Sequence, residues 1–138
     1  MIIDANNMIL GRLATFAAKK ALLGEKVDII NCENAVITGD PDTTFAKFKQ
    51  RRDRGIPLKG PYFPRMPDRI VRRAVRGMLP YKRPRGTAAL KKVMCYIEIP
   101  EKLKDKKAET IKGADVSKVP SLKYTTVGKL SKLLGAKW

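Results

Sequence analysis

The chain has 138 residues, enough for one domain with a buried core, and its 30 lysines and arginines outweigh 13 aspartates and glutamates to give a net charge of +17. It contains no histidine, which removes the commonest general base and the commonest metal ligand. No apolar run nears the roughly 18 residues of a membrane span, and Met1-Ile2-Ile3-Asp4 lacks the basic start and apolar core of a signal peptide.

Met1 to Ala5 is expected to be a short strand, and Asn6-Asn7 a turn. From Leu10 to Leu23 the spacing predicts a helix. Leu10, Leu13, Ala14, Ala17, Ala18 and Ala21 cover a wide apolar sector, and Arg12, Thr15 and Lys19 a narrow polar stripe. Gly24 closes this helix. Val27 to Asn31 is a second strand, completing a βαβ unit with a right-handed crossover. Ala35 to Thr38 is a third, weaker strand. Asp40 can cap, and Pro41 open, a helix over 41–53 that turns Phe45 and Phe48 inward and Lys47, Lys49, Arg51 and Arg52 mostly outward. Residues 55–64 are rich in glycine and proline and so irregular. There Lys59, Tyr62 and Phe63 form a cation-and-aromatic mix. The two rings either stack on unpaired bases or pin the loop to the core.

Pro67 opens the next helix, Asp68 suits the positive end of its dipole, and Pro80 ends it. Arg69, Arg72, Arg73 and Arg76 stand at i, i+3, i+4 and i+7 and share one face; Ile70, Val71, Ala74, Val75 and Met78 share the other. A merely solvated charged face would mix signs, yet no acidic residue lies between Asp68 and Glu98. Four like charges at this spacing repel one another. A polyanion removes that cost, and a guanidinium matches phosphate with two parallel hydrogen bonds. The arginine face is therefore expected to bind phosphates.

Tyr81 to Gly86 is a basic loop with Lys82, Arg83 and Arg85. Thr87 is expected to cap a short helix through Val93, and Met94 to Ile99 to form the final strand before Pro100. Residues 100–120 are rich in lysine and acid with few large apolar side chains, as in an extension that lies on a partner or is partly disordered. Val127, Leu130, Leu133 and Leu134 then form a helical stripe, capped by Thr126 and stopped by Gly135. The expected organisation is an α/β domain over 1–99, holding a basic block at 47–92, and a C-terminal extension over 100–138 with a short terminal helix.

Charge follows the same division. Residues 1–46 carry a net −2, residues 47–92 a net +14 and residues 93–138 a net +5; ten of the eleven arginines fall in the middle block. This is the pattern of a fold bearing a docking surface for nucleic acid. An anionic membrane would call for a broad, bulky apolar face beside the basic one; here the apolar face is small and needed for the core. The RNA-binding set read from the block is Lys47, Arg51, Arg52, Lys59, Tyr62, Arg65, Arg69, Arg72, Arg73, Arg76, Lys82, Arg83 and Arg85.

Catalytic chemistry has little to stand on. Asp4, Asp28, Asp40 and Asp42 are the only candidates for an acid pair or magnesium site, and helix capping explains the last two. Leu10-Gly11-Arg12 lacks the further glycines of a dinucleotide loop, and no serine or cysteine has a base beside it. Cys32 and Cys95 are far apart, without metal-ligand spacing, as expected of buried, reduced thiols in a cytosolic protein. The expectation is no catalytic residue, no metal, no cofactor, no small-molecule substrate and no membrane. The rival readings are a small nucleotide-using or phosphoryl-transfer enzyme on the same α/β frame, and a DNA-binding architectural protein.

Asp4-Ala5, Leu10-Gly11-Arg12-Leu13-Ala14, Gly24-Glu25-Lys26-Val27, Ile30-Asn31, Ala35 and Ile37-Thr38-Gly39 form one set of motifs. Gly60-Pro61-Tyr62, Pro67 with Arg69-Ile70, Val75-Arg76-Gly77-Met78-Leu79-Pro80, then Lys82, Arg85 and Gly86 form a second. With Thr126-Val127-Gly128-Lys129-Leu130 they resemble the universal ribosomal large-subunit protein thirteen family in its archaeal and eukaryotic form, over nearly the whole chain. The resemblance implies a three-layer α/β/α sandwich on a four-stranded, mostly parallel sheet of order 3-2-1-4. It also implies a structural role in the cytoplasmic ribosome, binding large-subunit ribosomal RNA and neighbouring large-subunit proteins.

Overall fold

In the computed structural model, which describes residues 1–138, the elements run β1 (Ile2–Asp4), α1 (Leu10–Leu22), β2 (Val27–Ile30), β3 (Val36–Thr38), α2 (Pro41–Asp53), α3 (Pro67–Met78), α4 (Pro84–Lys91), β4 (Val93–Cys95), β5 (Tyr124–Thr126) and α5 (Val127–Leu133). Local chemistry sets several of these boundaries. Asp40 caps α2 by accepting the Thr43 amide at 3.0 Å, and Thr126 caps α5 by accepting the Lys129 amide at 3.2 Å. Gly24, at φ +100°, supplies the left-handed residue after α1.

The apolar runs Ile2–Asp4, Val27–Ile30 and Val93–Cys95 make a parallel sheet of order β1-β2-β4, with Ile3 opposite Ile29 and Ile29 opposite Cys95. This corrects the expected four-stranded order 3-2-1-4. The central strand is β2, not β1, and β3 leaves the sheet to pair antiparallel with β5, Val36 opposite Thr126 and Thr38 opposite Tyr124. The reason is geometric. A parallel neighbour needs a crossover of about a dozen residues or more, and only residues 31–35 separate β2 from β3. Asn31, at φ 55°, and a 3-10 turn over Cys32–Asn34 swing the chain out of the sheet instead.

One face of the sheet, with Ile3, Val27, Ile29 and Val93, joins the main core, where α1 contributes Leu13, Ala14, Ala17 and Ala21 and α3 contributes Ile70, Val71 and Val75. Small alanines let α1 lie close to the strands. The opposite face is covered differently. Ile2 and Ile30 pack with Leu103, Tyr96 and Ala108, so a 3-10 turn at Glu101–Leu103 covers what a helix would otherwise cover. The chain then runs along the free edge of β1, where the Asp4 amide donates to the Glu109 carbonyl at 3.1 Å and the Glu109 amide to the Ile2 carbonyl at 2.9 Å. Residues 100–120, expected to lie on a partner or be partly disordered, thus lie on their own domain. Ala114, Val127, Leu130 and Leu134 are buried in the main core.

Two further boundaries differ from expectation. The run Met94–Ile99 is strand only in β4, because Glu98 takes φ 56° and breaks the extended chain. Helix α4 opens at Pro84 rather than at Thr87, whose hydroxyl instead donates to the carbonyls of Tyr81 and Arg83.

Candidate nucleic-acid interface

Helix α3 divides between core and solvent along the line its spacing predicts. Ile70, Val71 and Val75 are buried and Ala74 half-buried, while Arg69, Arg73 and Arg76 are exposed and Arg72 is half-buried. Met78 departs from the pattern: at the last turn it is 43% exposed, and its sulfur accepts the Thr15 hydroxyl at 3.2 Å.

Three of the four guanidinium groups are held without being neutralised. Arg72 Nη2 donates to the Leu90 carbonyl at 3.4 Å. Arg73 sits 4.5 Å from the centre of the Phe63 ring, and Arg76 4.3 Å from that of Tyr81. Stacking on a ring fixes the plane of the fork and leaves its donors free. The chain has two ion pairs, Lys20–Glu25 and Arg52–Asp53, and neither involves α3.

The two aromatic residues before α3 take opposite roles. Phe63 pins the loop, half-buried edge-to-face against Phe48 with ring centres 5.5 Å apart. Tyr62 stays 72% exposed, its hydroxyl donating to the Pro57 carbonyl at 2.8 Å. Tyr62, Pro64 and Leu90 line a cavity of about 310 Å³ with Arg69, Arg72, Arg73 and Arg76.

The other residues of the set are more scattered. Lys47 and Arg51 are exposed along α2, with Arg51 5.7 Å from the Phe48 ring. Arg52 turns inward: its Nη1 donates to the Leu134 carbonyl at 3.2 Å and its Nε to Asp53 at 2.9 Å, tying α2 to α5. Lys59 and Arg65 are exposed in the irregular segment, where the Arg65 carbonyl accepts the Ser131 hydroxyl at 2.6 Å. Lys82 and Arg83 are exposed between α3 and α4, and Arg85 lies on the first turn of α4, not in a loop. A cation outside the predicted set joins this surface: Lys137 lines a hollow beside Arg65 and Arg69. It sits far along the chain in an extension with no arginine, so no local signal marks it.

No group of three histidine, cysteine, aspartate or glutamate side chains comes together as a metal site would require, and Cys32 and Cys95 are both free. No helix is long and apolar enough to cross a membrane.

The profile of the family described as ribosomal protein L13 matches residues 1–102. The chain belongs to the ribosomal protein L13 family. It is 47% identical over 137 residues to the large ribosomal subunit protein uL13 of Methanococcoides burtonii, covering 99% of each chain. Its identity to the uL13 protein of Methanosarcina barkeri is 46% over 138 residues, again across 99% of each. With the Archaeoglobus fulgidus uL13 protein it shares 45% over 135 residues, which is 97% of this chain and 86% of that one. The L13 profile ends just past the start of the extension, whereas these relatives align across the extension as well.

Proposed function

We propose that this protein is a structural, non-enzymatic constituent of the large subunit of the cytoplasmic ribosome, where it holds ribosomal RNA and meets neighbouring large-subunit proteins. The observation that carries the RNA reading is the α3 face: on a chain of the L13 family, four arginines share one side of a helix with no carboxylate paired to them. Guanidinium forks with no carboxylate partner are built to donate hydrogen bonds to phosphate oxygens. In this reading the exposed cations Lys47, Arg51, Lys59, Arg65, Lys82, Arg83 and Arg85 extend the face on either side of α3, and Arg52 contributes mainly to the fold.

The proposed division of labour follows the chain. Residues 1–99 supply the α/β frame with its basic block, and residues 100–138 brace it, their 3-10 turn forming a thin third layer on the sheet.

Binding to large-subunit ribosomal RNA fragments at varied salt tests the reading. If six to ten phosphates are engaged, affinity falls by roughly a thousandfold or more between about 50 and 200 mM salt. An affinity nearly flat across that range argues against phosphate recognition as the main term. Duplex DNA that competes as well as ribosomal RNA would favour an architectural DNA-binding role instead.

A further inference from the structure

Tyr62 is both exposed and tethered. The residue is 72% exposed, yet its hydroxyl is tied to the Pro57 carbonyl at 2.8 Å. A ring already held loses little freedom when another group stacks on it. It forms one wall of the 310 Å³ cavity, beside the apolar surfaces of Pro64 and Leu90, and the α3 arginines form the rest. Two adjoining hollows also share Tyr62, and no carboxylate lines any of the three.

An apolar wall facing a cluster of guanidinium groups is the complement of a nucleotide, which has a flat π-face at one end and a phosphate at the other. Paired RNA cannot use such a wall. Its bases are stacked inside the helix, and it offers side chains its phosphates and a shallow groove; unpaired bases can turn outward and stack on aromatic rings. The cavity also lies near the lower end of the roughly 300–1,000 Å³ range of ligand pockets, which suits one nucleotide rather than a run of them.

We propose that this cavity seats a single unpaired nucleotide of RNA, its base stacked on Tyr62 and its phosphate held by the arginine forks of α3. The inference rests on the RNA-binding reading above and adds that the preferred RNA is interrupted, not continuously paired.

The test uses the full chain and two RNA hairpins that differ by one bulged nucleotide, compared by fluorescence anisotropy at fixed salt. The bulged hairpin should bind on the order of tenfold more tightly. Tyr62→Ala should bring the ratio of the two affinities close to one, whereas Tyr62→Phe, which keeps the ring, should preserve most of it. An abasic residue at the bulge, which keeps the phosphate and removes the base, should also abolish the preference. Equal, salt-sensitive affinity for both hairpins overturns the nucleotide seat and leaves the phosphate-binding face standing. Weak, salt-insensitive affinity for both overturns the face and the seat together. A preference that survives the abasic bulge or Tyr62→Ala comes from RNA bending and also overturns the seat. Displacement of the bulged hairpin by an equimolar free nucleoside monophosphate would give the cavity to a free nucleotide and overturn its assignment to RNA.

Discussion

Two glycines of the second motif set, Gly77 and Gly86, have opposite surroundings. A Cβ on Gly86 would strike the Pro80 carbonyl, which is backbone and cannot step aside, whereas a Cβ on Gly77 meets nothing within 4 Å. Gly86→Ala should therefore lower the melting temperature, by the equivalent of at least about 1–3 kcal/mol for an overpacked site. Gly77→Ala, on exposed helix, should raise the stability by up to about 1 kcal/mol. Thermal melts of the free protein measure both. Asp40 gives a pH-dependent counterpart. Hydrogen bonds from the Thr43 amide, then from the Thr43 hydroxyl, hold its carboxyl below the usual aspartate range. The native value is the lower one, so the cap's contribution is complete above the unfolded pKa of roughly 3.9. It fades as pH falls through the native value. The melting temperatures of wild type and Asp40→Ala should differ at neutral pH and converge in acid below the usual aspartate range; a difference that persists there would mean the charge on Asp40 is not what stabilises α2.

At the scale of the element, α3 keeps binding and folding on separate faces. Arg69 and Arg73 are exposed, and losing them opens no core cavity. The double change to alanine should flatten the salt dependence of RNA binding by about two units, with only a small effect on stability from the lost contact between Arg73 and Phe63. Val71→Asp is the matched change on the buried face. It places an unpaired carboxylate at a position with no exposure and should cost several kcal/mol, enough to unfold a marginal domain. Circular dichroism and a salt series on the same pair of variants separate the two effects. A double-alanine protein that melts far below wild type, yet binds RNA with an unaltered salt slope, would mean the arginines serve the fold.

For the whole molecule, the extension decides whether the α/β frame can stand alone. Residues 1–99 by themselves would uncover Ile2 and Ile30, free the edge of β1 and strip Val127, Leu130 and Leu134 from the main core. Deleting 100–138 should therefore abolish the cooperative thermal transition. Leu130→Ala, a milder probe of the same dependence, should cost about 2–5 kcal/mol. A truncated chain that melts cooperatively near the full-length temperature would show that the frame is self-sufficient. The charge division also acts at this scale. A near-neutral first third beside a block of net +14 gives the molecule a polarised field, which orients it toward a polyanion during approach.

Features that depend on neighbours within a turn were legible without the structure. The boundaries of α3 follow from Pro67 and Pro80, its two faces from the spacing of its arginines, and the cap of α2 from Asp40. Features that depend on partners far along the chain were not. The five residues between β2 and β3 leave no room for a parallel crossover, but nothing local names β5, almost ninety residues on, as the partner β3 takes instead. Tyr62 and Phe63 are adjacent aromatics with the same local credentials; Phe48 on α2 and Arg73 on α3 claim Phe63 and leave Tyr62 in solvent. Arg52 looks like its neighbour Arg51 until the carbonyl of Leu134, just past α5, takes its guanidinium. Period and capping are short-range and written residue by residue, whereas burial of a particular side chain is set by which distant surface arrives to cover it.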